Sequence, residues 1–278
     1  MKAYFLIQIA CFLSLSMQAD AYVIKRGDYG EKVAWPRSRS AISFNLNPYN
    51  SHGISESRII SMLNSSFSQW EQIAPFDFSY SINYSAPVSG ENNIFFSSDS
   101  SLIPGSGVLA VTRYSYKIGN GEITRADIVV LNNPASASIT QIEGTRSYLG
   151  DIFTHELGHV VGFDHSQLMN ATMYYKWIAG QSTVHTDETA GVSSMYGNDL
   201  GSISGKIVGG YDLIGIFGTN VEAISANTGD VVAATISDDD GTFTIYGLEK
   251  NVFIYFQLYH NRPDCFSFSI TSFYRFLQ

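Results

Sequence analysis

The stretch THELGHVVGFDHS, Thr154 to Ser166, places three of the chain's six histidines within eleven residues. Positions i and i+4 of a helix lie on one face about 6 Å apart along the axis, so His155 and His159 aim two imidazoles at one point. Glu156 sits beside the first and projects to the flank of that face, close enough to touch a water there without displacing it. Gly162 tolerates the positive φ that lets the chain leave the helix sharply, which swings His165 back to the same point. Three neutral imidazoles at about 2.0–2.1 Å leave a tetrahedral zinc with one open position, the arrangement of a reactive site and not of a closed structural one. The five specified positions arise by chance on the order of once in 100,000 chains of this composition. That sets aside histidines that merely decorate an amphipathic helix. His52, His185 and His260 lack partners at ligand spacing and are expected to be surface or locally hydrogen-bonded.

Periodicity places this segment in a mixed α and β unit. Ile42, Phe44 and Leu46 alternate, and so do Phe76, Phe78, Tyr80, Ile82 and Tyr84, as strands do. Ile59, Leu63, Phe67 and Trp70 recur at three or four residues and form one helix stripe. NNIFFS, GVLAVTRYSY and ADIVVLN read as three more strands. RSYLGDIFTHELGHVVG reads as a second helix, and HTDETAGVSSMYG as a third, with Thr186 or Asp187 as N-cap and a stop at Gly197. Beyond NDLGS the pattern becomes short strands at regular spacing, SISGKIVG, NVEAISA, DVVAATIS, TFTIYGL and VFIYFQLY. Turns fall at Asn227-Thr228-Gly229 and at Asp238 to Gly241, which suits a small β-sandwich. The acidic run SDDDGT lacks the alternating ligands of a calcium loop and is expected to be a solvated hairpin turn; calcium is left open with no motif to support it.

The chain opens MKAYFLIQIACFLSLSMQADAY. Lys2, the apolar run from Ala3 to Leu15 and the small pair Ala19 and Ala21 predict a secretory signal over 1–21, cut after Ala21. A membrane anchor needs about 20 apolar residues, and Ser14, Ser16 and Gln18 interrupt this run first. Residues 22–278 are then expected in the secreted or periplasmic space, with no integral membrane segment. Losing Lys2 and Asp20 leaves the net charge at −9, and the lysines are scattered, so nucleic acid is excluded as a partner. Of two cysteines only Cys265 remains, which rules out an intrachain disulfide.

HELGHVVGFDH matches the HExxHxxGxxH signature of the metzincin zinc endopeptidases, and Ser166 directly after the third histidine resembles the matrixins. NATMYY looks like their Met-turn, with Met173 beneath the ligands in preference to Met169, and DETAGVSSMYG resembles their last helix. The resemblance covers Trp35 to Gly197. It implies an α+β fold, a twisted mixed sheet with an active-site helix and a C-terminal helix, followed by the small all-β sandwich. It further implies one catalytic zinc on His155, His159 and His165, Glu156 as general base, and support from Gly162 and Met173. Val108, Leu109, Ala110 and Val111 take the place of the edge strand that pairs with an extended protein or peptide substrate. Tyr175 is a candidate auxiliary, to the oxyanion or as a zinc ligand in the manner of the tyrosine after the Met-turn of some metzincins, with a core or pocket-wall role as the alternative. The C-terminal strands resemble the carboxypeptidase regulatory-like, transthyretin-like sandwich, which gives a division into 22–200 and 201–278. That sandwich is a candidate for binding a surface or another protein, and the run after Tyr259 departs from it, leaving an altered or truncated end open. Between the expected cleavage site and the first strand there is no cysteine to hold the zinc latent, and the ligands of a structural zinc are not recognisable. The rival expectation is a non-catalytic, zinc-stabilised binding or adhesion protein.

Overall fold

The computed structural model describes residues 22–259, apart from 86, 167–168, 198–200, 210–212, 226–228, 230 and 249–253, together with 273–275. The expected signal over 1–21, His260, Cys265 and the Asn227-Thr228 part of a turn lie outside these residues.

In chain order the first part holds β1 (Val23–Ile24), β2 (Ala41–Leu46), α1 (Glu56–Glu71), β3 (Asp77–Ile82), β4 (Asn92–Ser97), β5 (Ala110–Tyr116), β6 (Ile123–Leu131), α2 (Leu149–Val161), β7 (Phe163–Asp164) and α3 (Thr186–Tyr196). Five strands form one mixed sheet in the order β3-β2-β4-β6-β5, parallel except for β5, which runs antiparallel along the edge. Ile42, Phe44 and Leu46 bury one pleat face of β2, and the α1 stripe of Ile59, Leu63, Phe67 and Trp70 is buried with them. Phe67 stacks on Phe44 and Phe78 with ring centroids 6.1 and 5.2 Å apart, so helix and sheet share one aromatic seam. The same helix grips α2. Trp70 Nε1–H donates to the Thr154 carbonyl at 2.8 Å, and Thr154 Oγ1 donates to Ser66 Oγ at 2.8 Å.

Two local expectations change. The β3 alternation stops at Ile82, because its parallel partner β2 ends at Leu46, opposite Ile82. Tyr84 is therefore exposed, and its hydroxyl donates to Glu56 at 2.9 Å. The N-cap of α3 is His185, not Thr186 or Asp187: its Nδ1 accepts from the Asp187 N–H at 3.2 Å, while the Glu188 carboxylate accepts from the His185 N–H at 3.2 Å. A neutral imidazole nitrogen here does the work of the usual Ser or Thr oxygen in a capping box.

The second part holds β8 (Gly201–Lys206), β9 (Asn220–Ser225), β10 (Val231–Ile236), β11 (Thr242–Leu248), β12 (Ile254–Tyr259) and β13 (Phe273–Arg275). They form two three-stranded antiparallel sheets, β11-β8-β13 and β10-β9-β12, around Val221, Ala223, Ala233, Phe243, Ile245 and Leu248. Asp238 to Gly241 makes the turn between β10 and β11, closed by the Gly241 N–H on the Asp238 carbonyl at 2.8 Å. β13 lies in the run after Tyr259 whose sequence departs from the module, and it pairs antiparallel with β8. The sandwich packs on α3 through Gly247, whose φ is 77° and on which a Cβ would come within 2.4 Å of the Ala190 Cα.

Candidate functional site

Helix α2 delivers His155 and His159 one turn apart, then ends at Gly162 with φ 119° and ψ 14°. The Gly162 N–H closes the helix on the carbonyls of Gly158 and His159. Only glycine fits, since a Cβ there would sit 2.6 Å from the Val33 carbonyl oxygen as well as carrying a left-handed φ. From this corner β7 pairs antiparallel with β1 and carries the chain to His165.

The ligand nitrogens of His155, His159 and His165 all lie within 4.8 Å of one another. His155 Nδ1 is 2.9 Å from the Thr172 carbonyl and His159 Nδ1 is 2.9 Å from the Phe163 carbonyl. A carbonyl only accepts, so each Nδ1 carries the proton and each Nε2 keeps its lone pair for a metal. His159 Nε2 and His165 Nε2 are 3.2 Å apart. Two nitrogens sharing a tetrahedral zinc at about 2.05 Å would be about 3.3 Å apart. The donor set and its spacing fit zinc. Burial pushes the His155 and His159 imidazoles down to about 4, so both are neutral, the form that ligates, at pH 7.

The floor of the site comes from the turn after it. Ser166 N–H donates to the Met173 carbonyl at 2.7 Å. Met173 is buried with its Sδ against Gly158, where a Cβ would approach to 2.1 Å, whereas Met169 is 54% exposed. Glu188 of α3 holds the turn, accepting from the Met173 N–H at 2.9 Å as well as from His185. Burial raises its carboxyl to about 7 from an ordinary 4.5. A carboxyl raised on folding contributes most below 4.5, and that contribution is lost as pH rises through about 7. Relative to Glu188→Gln, wild-type stability should therefore decline by on the order of 3 kcal/mol between about pH 4.5 and 7, other titrating groups cancelling in the difference. Urea unfolding of both proteins at fixed zinc measures this; a flat difference contradicts it.

Glu156 is 5% exposed and lines a cleft of about 490 Å³ beside the histidines. Burial raises its carboxyl, while His155 and the hydrogen bond from Thr112 pull it back. Thr112 Oγ1 donates to Glu156 Oε2 at 2.6 Å. The cleft is lined by Ala110, Val111, Thr112 and Tyr114 of β5 and also by Ile152, Trp177 and Gln181. β5 starts at Ala110, so of the four expected strand residues Ala110 and Val111 lie in it, while Val108 and Leu109 lead in, the Leu109 carbonyl accepting from the Leu131 N–H at 2.8 Å. Tyr175 is 46% exposed at the cleft rim, its ring 4.6 Å from that of Tyr174. Asp151, one turn before His155, is buried and raised to about 6 by that burial, with the Gly180 N–H at 3.4 Å. Thr112, Asp151, Thr172 and Glu188 were not found from the sequence. Only the β5 alternation, which turns Thr112 to the same side as Ala110 and Tyr114, could have hinted at the first.

The chain resembles Metalloendoproteinase 4-MMP of Arabidopsis thaliana, 27% identical over 161 residues, which cover 56% of this chain and 44% of that protein. It also resembles the Hatching enzyme of Paracentrotus lividus, 39% identical over 69 residues, 23% of this chain and 12% of that protein. The chain thus spans less than half the length of either relative. Residues 34–197, well over half of the chain, match the matrixin family as a whole. With that match enclosing the three histidines, Glu156 and the turn at Met173, this chain belongs to the matrixin family.

Proposed function

We propose that the chain is a secreted zinc-dependent endopeptidase in which Glu156 is the general base. The observation that carries this is the placing of one buried, unligated carboxylate on the wall of a cleft that also holds three imidazoles converging on one point. His155, His159 and His165 would hold the metal. Zinc in that position supplies Lewis-acid chemistry, making a water nucleophilic near neutral pH and offsetting charge that develops on the peptide oxygen. Glu156 takes the proton from the attacking water and returns it to the leaving amine. β5, with its outer edge unpaired in the sheet order, offers main-chain groups to an extended substrate. Met173 and Gly162 fix the ligands from below and behind, and Tyr175 forms part of the cleft rim. Secretion rests on the signal pattern over 1–21, and among the described residues no helix is long and apolar enough to cross a membrane.

The test is hydrolysis of a broad peptide library by the zinc-loaded protein, with loss on chelation and recovery on zinc addition. A protein that holds one zinc and cleaves nothing would instead be the metal-stabilised binding scaffold. The division at residue 200 is part of the same proposal. A fragment of 22–200 should melt cooperatively with zinc, though below the full chain, because it exposes the Ala190 face that the sandwich buries. A non-cooperative melt would show that the two parts fold as one unit.

A further inference from the structure

The Thr112 hydroxyl lies 2.6 Å from Glu156 Oε2 and 3.0 Å from the Glu156 carbonyl oxygen, two acceptors for one proton across 44 residues of chain. Thr112 sits within β5, opposite Ile128 of β6, and both of its contacts reach the middle of α2. The edge strand and the metal helix are thus tied at the buried carboxylate that lines the cleft beside the ligand histidines. A glutamate has three side-chain torsions and, untethered, samples several rotamers. A β-branched threonine in a strand is stiff at χ1, so its oxygen is a fixed anchor. Holding one carboxylate oxygen fixes the direction of the other.

We propose that Thr112 is a positioning residue for Glu156. It holds Oε2 so that the carboxylate meets the reacting groups in one orientation, and it makes the strand that faces the substrate and the base one mechanical piece. This rests on the reading of Glu156 as general base. Groups that act for chemistry must be held to within about 0.5 Å by their surroundings, so loss of such an anchor should show in turnover and not in binding.

The experiment uses the full-length zinc-loaded protein with Thr112→Val, which removes the hydroxyl at constant shape, and Thr112→Ser, which keeps it. Each is made alone and with Glu156→Ala. Zinc content, Tm, kcat and KM are measured on a peptide the wild type cleaves. Thr112→Val should keep its zinc and a KM within about twofold of wild type, while kcat falls about 10- to 100-fold, the usual weight of a residue that orients a metal site. Thr112→Ser should stay within about threefold of wild type. With Glu156→Ala present, neither substitution should lower the residual rate further, because there is no carboxylate to position. Should valine reduce zinc content, Thr112→Ala, which relieves rather than fills the space, carries the same expectation. A wild-type kcat in Thr112→Val, a loss that serine does not restore, or an equal loss in the Glu156→Ala background would each overturn the proposal. Glu156→Ala cleaving at the wild-type rate is a different result: it removes the general base itself and Thr112's role with it.

Discussion

Glu156→Ala should leave zinc content and melting temperature near wild type while peptide hydrolysis falls by about 10²- to 10⁴-fold, the usual weight of general acid–base catalysis. The separation of effects follows from where the side chain sits. Glu156 is not among the three residues whose nitrogens converge, so its loss removes no ligand. The partner left behind is not orphaned either. The Thr112 hydroxyl is already 3.0 Å from the main-chain carbonyl of residue 156, which alanine retains. Metal analysis, thermal melts and hydrolysis on the same purified samples measure all three quantities. Hydrolysis at the wild-type rate, or loss of zinc in step with activity, would remove Glu156 from the role of base.

Much of this site could be read from eleven residues, because helical spacing and one glycine fix three ligands by local geometry alone. The core strands and the α1 stripe were legible for the same reason, since periodicity is a local property. What escaped reading depends on contacts between distant segments. Thr112 meets Glu156, and Glu188 meets Met173, only once sheet, helix and turn are assembled. The end of β3 was misplaced because a parallel partner, and not its own alternation, sets its length. The α3 cap was misplaced because histidine takes a place that preference gives to small oxygen-bearing side chains.

The three ligand histidines should differ in a way that the motif alone does not suggest. His155→Ala, His159→Ala and His165→Ala each remove one of three ligands, so each should lose zinc and drop hydrolysis to background. Wild type at zinc 100-fold above its Kd gains about 2.7 kcal/mol that the variants forgo. Without metal they should part company. His155 and His159 each donate through Nδ1 to a main-chain carbonyl, at Thr172 and Phe163; truncation opens a cavity at either site, takes that donor from the Phe163 carbonyl, and leaves the Thr172 carbonyl with the longer contact from Gln181 Nε2 at 3.4 Å. His165 is exposed, the hydrogen bond from its backbone N–H to Asp164 Oδ1 at 2.9 Å survives truncation, and the ring contact it loses, to His159 Nε2 at 3.2 Å, is solvent-exposed. In chelator, His165→Ala should therefore melt like the metal-free wild type, whereas His155→Ala and His159→Ala should be less stable by on the order of 1–3 kcal/mol. Urea unfolding with and without chelator measures this. Equal metal-free stability in all three would mean that the two carbonyl contacts do not hold the helix to the Met173 turn and to β7; zinc retained by any one of them would mean that the site is not the three-histidine centre.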